Sequence, residues 1–367
     1  MNNPPSADRP KWLDLLRQAM RPIRNILQGP KFEVHKELPE ARVMTDRMLR
    51  KQPWLPPLEE PDWRSPGDDA HMRPEDPVLG IYRNGKAWAL PWWIMGDHHI
   101  ANLILDGQPV LVTLCGVCSS GSAFDSIHDA QRLNFRLAGL YNGTQLIKDV
   151  ETSSLWNHIN GEALFGPLKG TFLERIALGQ CEWREWLRMH PDSLVLWGEQ
   201  KLRQGFAWQH SPGSPIIAPE LRKSLARPID QRIAHNTLVL GVEGDGTGFA
   251  FPLPELDKIG SVLHTTMDKE EIVIFHMPGS VHALAYSPVL DGEKLEFFHK
   301  EQGRIIDRQT GSHWNYAGEC YAGAHRGSKL RYVSSGVAEW YIWAAHHPNT
   351  GLFSSSSITA TGEPSAS

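Results

Sequence analysis

The chain has 367 residues, with 37 Lys+Arg against 42 Asp+Glu and 41% hydrophobic residues. That is enough apolar chain for two ordinary domains or one large one, each with a core of its own. A formal charge of −5 excludes a partner held by phosphate neutralisation, which takes a basic excess, and 22% charged residues exclude a mostly disordered or membrane-embedded chain.

Residues 1–75 read as an appendage: an N-terminal amphipathic helix followed by a Pro-rich connector. Trp12, Leu15, Leu16, Met20, Ile23 and Ile26 have helical spacing, with Pro22 as a kink. Asp8, Arg9, Lys11, Asp14 and Arg17 break any apolar core of a secretory signal, so a cytoplasmic location is expected. From 53 to 77 recurring prolines favour an extended connector. The most apolar run, 87–96, is about half the ~20 residues of a membrane helix and contains Pro91, so no membrane span is expected.

The body carries an internal duplication. Val78-Leu79-Gly80 reappears as Val239-Leu240-Gly241, each followed by a turn dipeptide, Asn84-Gly85 or Asp245-Gly246, and by an apolar strand ending at Pro91 or Pro252. Asp149, Thr152 and Trp156 match Asp307, Thr310 and Trp314; Gly161-Glu162 matches Gly318-Glu319; WREWLRMHPDS matches WYIWAAHHPNT. The offset falls only from 161 (Val78 to Val239) to 157 (Trp183 to Trp340), a period that indicates two tandem domains rather than a solenoid. Each unit reads as mainly β. Asn-Gly and Asp-Gly turns, with Asp106-Gly107 and Asp291-Gly292 besides, are hairpin signals because a type I′ turn needs positive φ twice. A short helix over 182–189 ends at His190-Pro191, and a strand over 194–197 closes the unit. The expected fold is therefore α+β, mainly β: a first unit at 76–203, a linker at 204–235, a second unit at 236–353, and a loose tail at 354–367.

The candidate chemistry lies in the first unit. Cys115-Gly116-Val117-Cys118 ends a strand over 110–114, so both sulfurs can point to one side while the turn's N–H groups stabilise thiolates. Cys181 and Cys320 are isolated and read as inert buried thiols. His98 and His99 precede a hairpin that leads back to the cysteines, and Asp125 is a candidate carboxylate to orient a ligating imidazole. Two sulfurs, one histidine and an open fourth position make the pattern of a catalytic metal site. Thiolate softness favours copper and cytoplasmic availability favours zinc, with iron also compatible. In the second unit Cys115 aligns with Met277, Cys118 with Ser280 and His98 with Gly260, so the scaffold residues persist without the ligands. His276 and His282 are the imidazoles near that position. His346-His347 reads as a helix end. No Walker A segment, no G-x-G-x-x-G opening a helix and no G-x-S-x-G elbow occurs.

VLGIYRNGKAWALP, HHIANLILDGQPVLVTLCGVCSSGSAFD, LYNGTQLIKDVETSSLW, GEALFGPLKGT and WREWLRMHPDSLVL resemble the DUF3179 family, over roughly 76–200 and again over 236–353. The Cys-x2-Cys, its small-residue run and the following Ala-Phe-Asp are the most specific part. The resemblance sets Cys115, Cys118, His98, Asn102, Asp149 and Trp156 on recurrent family positions, with Asn102 as a further candidate behind the ligands. The chain departs from the family at His99, where relatives usually carry Glu, and at Ile147, often Met, which removes a thioether ligand. Relatives frequently carry export signals, which this N-terminus lacks. The first expectation is a metal-binding protein, open to metalloenzyme chemistry, with one Cu or Zn held in the first unit by Cys115, Cys118 and a histidine, His98 or His99. The alternatives are a thiol–disulfide protein using Cys115 and Cys118, and a non-catalytic β scaffold that binds a small molecule or protein partner through its 14 tryptophans.

Overall fold

The computed structural model describes residues 32–44, 55–67, 71–199, 217–244, 247–300 and 304–357. The helix expected over 12–26, the Asp245-Gly246 turn and residues 358–367 of the tail lie outside them. Asn84-Gly85, Asp106-Gly107, Asn142-Gly143 and Asp291-Gly292 each hold both residues at positive φ, so the chain turns back on itself at each and the fold is mainly β.

Phe32–Val34 (β1), Ala41–Met44 (β2) and Trp63–Arg64 (β3) come first. Pro77–Arg83 (β4) and Lys86–Pro91 (β5) lead into the helix Trp92–His98 (α1), then Ile100–Leu105 (β6), Gln108–Cys115 (β7) and Ser120–Asp125 (β8). Next are Phe135–Tyr141 (β9), Thr144–Asp149 (β10), Leu155–Asn157 (β11), Ala163–Phe165 (β12) and Arg175–Ile176 (β13). Gly179–Glu182 (β14), the helix Trp183–Met189 (α2) and Leu194–Leu196 (β15) close the first half. Glu182 and Glu185 form a capping box at the start of α2.

After the helix Pro219–Lys223 (α3), the second half opens with Leu238–Glu243 (β16), Gly248–Pro252 (β17), the helix Leu253–Ile259 (α4), Val262–Met267 (β18), Glu270–His276 (β19) and Ala283–Tyr286 (β20). Phe297–Lys300 (β21), Arg304–Asp307 (β22), His313–Trp314 (β23) and Cys320–Ala322 (β24) follow. Tyr332–Val333 (β25), Ser335–Glu339 (β26), the helix Trp340–His346 (α5) and Gly351–Leu352 (β27) complete it.

Strand order β14-β4-β5-β15 recurs as β26-β16-β17-β27, β6-β7-β8-β13 as β18-β19-β20-β25, and β9-β10-β11-β12 as β21-β22-β23-β24. The parallel pairing of β5 with β15 recurs between β17 and β27. The matched residues do matched work. Gly80 pairs with Gly179 and Gly241 with Gly336; a methyl on Gly80 would overlap the indole of Trp186, and one on Gly241 that of Trp343. Those indoles donate to Ser193 Oγ and Thr350 Oγ1, both at 2.8 Å. Asp149 accepts from Trp156 Nε1 at 2.8 Å, and Asp307 from Trp314 Nε1 at 2.9 Å. Asn102 holds both backbone groups of Phe135, and on the corresponding strand of the second half His264 Nε2 accepts from Phe297 N at 2.9 Å.

Two expectations change. Residues 32–44 and 55–67 are not a detached appendage: β2 pairs with β9, β3 with β15, and Leu58 bridges Ala101. The described part of the 204–235 linker is packed too, with Ile217 and Leu221 buried against the cysteine turn. Each half has an apolar core, one around Leu79, Trp92 and Leu114, the other around Leu240, Phe251 and Ile274. Arg175 joins the halves through Glu243 at 3.1 Å, as does Gln180 through Val337 O at 3.1 Å. Among the described residues no helix is long and apolar enough to cross a membrane.

Candidate functional site

β7 delivers Cys115 to its end, and a 3₁₀ turn, Gly116–Cys118, swings the second sulfur back over it before Ser119 at φ 51° starts β8. Both thiols are buried, at 3% and 0% exposure. Cys118 Sγ lies 3.0 Å from Ser120 Oγ and 3.2 Å from Thr144 Oγ1. Cys118 Sγ also donates to Cys115 O at 3.7 Å. The Cys118 thiol pushes Cys115 down to about 7, helped by the Thr144 hydroxyl and the N–H groups of Cys118 and Val117 and opposed by burial. Cys118 moves the other way, raised by burial and then by its neighbour. Cys115 is therefore the more readily ionised of the two sulfurs.

Beyond Thr144 stands His158, fully buried, with Nε2 2.6 Å from Thr144 Oγ1 and Nδ1 3.3 Å from Thr113 Oγ1. Burial first, then His346, Arg175 and His99, hold its pKa well below the usual imidazole range, so it is a neutral base. Thr144 thus spans a thiol and an imidazole. The roof over the sulfurs comes from elsewhere in the chain: Ile217 and Leu221 beside α3, and Ala338, Tyr341 and Ile342 from β26 and α5. Ser119 Oγ donates to the buried Glu339 at 3.2 Å.

The residues expected around the cysteines scatter. His98 ends α1 half-exposed, with Nδ1 2.8 Å from Pro56 O. His99 caps that helix at φ 61°, and its Nδ1 lies 3.1 Å from Gln145 Oε1, on the His158 side of the site. Gly260 is the C-cap of α4 as His99 is of α1, so the position it shares is that of His99 rather than His98. Asp125 faces Val110 in the β7–β8 ladder whereas Cys115 faces Ser120, which sets that carboxylate about 16 Å along the strand from the sulfurs; it accepts instead from Ile127 N. Asn102 is spent on Phe135. Among the described residues no group of three or more His, Cys, Asp or Glu side chains is disposed to hold a metal ion, so Cys115, Cys118 and His98 do not form one. In the second half Ser280 Oγ donates to Glu185 at 2.8 Å, and His276 Nε2 lies 2.9 Å from Asp257.

Sequence reading missed Thr144, His158 and Tyr341. A signal for His158 exists: it sits two residues after the matched Trp156, where the second half has Tyr316 two residues after Trp314.

No curated protein and no solved structure matches the chain. A family model described as "Protein of unknown function (DUF3179)" matches residues 53–350 in one stretch that takes in both halves and the cysteine turn. With most of its length so matched, the chain belongs to the DUF3179 family.

Proposed function

We propose that the chain is a thiol-based redox protein whose centre is the Cys115–Cys118 pair. The observation that carries this reading is the geometry of the turn, which brings Cys118 Sγ back over the end of β7 to lie 3.2 Å from Thr144 Oγ1, itself 2.6 Å from His158 Nε2; the displacement of Cys115 downward and Cys118 upward agrees with it. Cys115 is the nucleophile and Cys118 the resolving thiol. From one thiolate and one thiol, closing the S–S bond releases two electrons to a small electrophilic oxidant and one proton. That proton passes from Cys118 through the Thr144 hydroxyl to His158, which burial keeps neutral. A reducing compartment such as the cytoplasm is the proposed setting, because there the pair rests as thiols.

The same sulfurs support a second reading, a soft-metal site. Zinc takes four donors, and no such set stands around the pair among the described residues. Copper(I) suits thiolates and is satisfied by two, so copper is the metal this donor set fits. We further propose that the two halves are tandem copies of one unit, the second of which lost its thiols and became the cover of the first. The matched strand orders support this.

The deciding experiment is mass spectrometry of the full chain after alkylation in redox buffers spanning about −300 to −120 mV. A reversible Cys115–Cys118 disulfide, absent from Cys115→Ser and Cys118→Ser, is expected. No disulfide anywhere in that range overturns the redox reading. Equimolar copper retained by the reduced protein and lost in both variants moves the assignment to the second.

A further inference from the structure

Tyr341 belongs to the second half yet shares a buried cluster with Cys115, Cys118 and Ile159 of the first. It is 1% exposed, and its hydroxyl has no hydrogen-bond partner. A buried donor left unpaired costs roughly 1–3 kcal/mol, which phenylalanine in the same place would avoid. The helix does not require a tyrosine here. Its counterpart on α2, second in that helix as Tyr341 is in α5, is Arg184, whose side chain is 63% exposed. The phenol is therefore kept for something that arrives at the sulfurs.

We propose that Tyr341 donates a hydrogen bond to the oxygen of a small hydroperoxide attacked by Cys115, which makes hydroperoxides the oxidant class of this site. This rests on the redox reading of the pair. Burial supports it: sulfurs at 3% and 0% exposure under a two-part roof are closed to the disulfide of a protein, which leaves small-molecule oxidants. Chemistry supports it as well. The Cys115 thiolate attacks the terminal oxygen of R–O–O–H, the S–O bond forms, the O–O bond breaks and the alkoxide leaves. The alkoxide, steadied by the Tyr341 hydroxyl, takes up one proton from solvent as it departs as the alcohol. Cys118 then passes its proton through Thr144 to His158 and attacks the sulfenic sulfur; the S–O bond breaks, the hydroxide takes that proton back from His158 and leaves as water, and the disulfide closes. One thiolate, one thiol, one hydroperoxide and one proton become one disulfide, one alcohol and one water. Burial, and the two sulfurs next, raise the pKa of the phenol, so it stays a donor through the neutral range.

The test compares rates of disulfide formation in the full chain and in Tyr341→Phe, with tert-butyl hydroperoxide and with diamide, an azo oxidant that accepts thiol electrons through nitrogen. Tyr341→Phe is expected to slow the hydroperoxide reaction tenfold or more while the diamide reaction changes less than twofold. Its thermal unfolding midpoint should match or exceed that of the parent chain, because the oxygen removed had no partner. Equal slowing with both oxidants overturns the proposal, since Tyr341 would then only position the thiols. So does an unchanged hydroperoxide rate. If diamide closes the disulfide and hydroperoxide does not, the oxidant class is wrong and the redox reading stands; if neither closes it, both fall.

Discussion

The hydroxyl of Thr144 lies 2.6 Å from Nε2 of His158 and 3.2 Å from Sγ of Cys118, so one oxygen connects the buried imidazole to the buried thiol. His158→Gln keeps hydrogen-bonding groups toward Thr113 and Thr144 but cannot take up a proton. It should slow disulfide closure about tenfold or more, within the usual range for loss of a general base. Alkylation of Cys115 by iodoacetamide should change little, because that step needs no proton from Cys118. Equal slowing of both steps would assign His158 to packing alone.

The pH profile of Cys115 follows from its partner. Alkylation should rise through a midpoint near pH 7, because the thiolate is the reactive form and the group is pushed down to about 7. The hydrogen bond from Cys118 is the largest cause, so Cys118→Ala should move that midpoint upward by roughly one unit or more. A midpoint that stays put would locate the effect in the turn's N–H groups instead.

Acid should weaken the fold in a definite window. Burial pushes His190 down to about 4 and His282 and His346 down to about 3, and it holds His158 well below its usual range. Unfolded, each takes its proton near the ordinary value of about 6.5. Below that pH the unfolded chain binds more protons than the folded one, so stability falls as pH falls from about 6.5 toward 4. Each imidazole contributes a slope of at most about 1.4 kcal/mol per pH unit. Urea midpoints measured across this window should decline steadily, and a flat profile would mean that these rings are hydrated in the native state.

Matched positions in the halves should fail for matched reasons. Gly80→Ala and Gly241→Ala each drive a methyl into an indole, with an expected loss of about 1–3 kcal/mol by urea unfolding. Asp149→Ala and Asp307→Ala each strip a buried indole and a threonine hydroxyl of their acceptor, at a cost of about 3 kcal/mol or more. A large loss at one member of a pair beside a negligible loss at the other would break the equivalence.

Much of this was readable before any coordinates. The Asn-Gly and Asp-Gly turns were visible because positive φ restricts which residues can serve. The repeat of Val-Leu-Gly was visible too, but its reason was not: Gly80 meets Trp186 from more than a hundred positions away. The cysteine pair announced itself by local spacing. Thr144, His158 and Tyr341 did not, since sheet pairing and the seam between halves bring them in from separations that no short pattern encodes. His98 and Asp125 misled for the converse reason. Nearness along the chain suggested nearness in space, whereas the ladder sends Asp125 to the far end of its hairpin and His98 turns toward Pro56.

The cover over the sulfurs has one more consequence. Its parts come from residues 217–229 and from the helix Trp340–His346, near the C-terminal end of the described chain. As the chain emerges from the ribosome, the groups that set Cys115 low (Cys118, Thr144 and the N–H groups of the turn) are all made before that last helix, whose docking adds only burial. The seal over the sulfurs is thus the last part of the site that the chain makes.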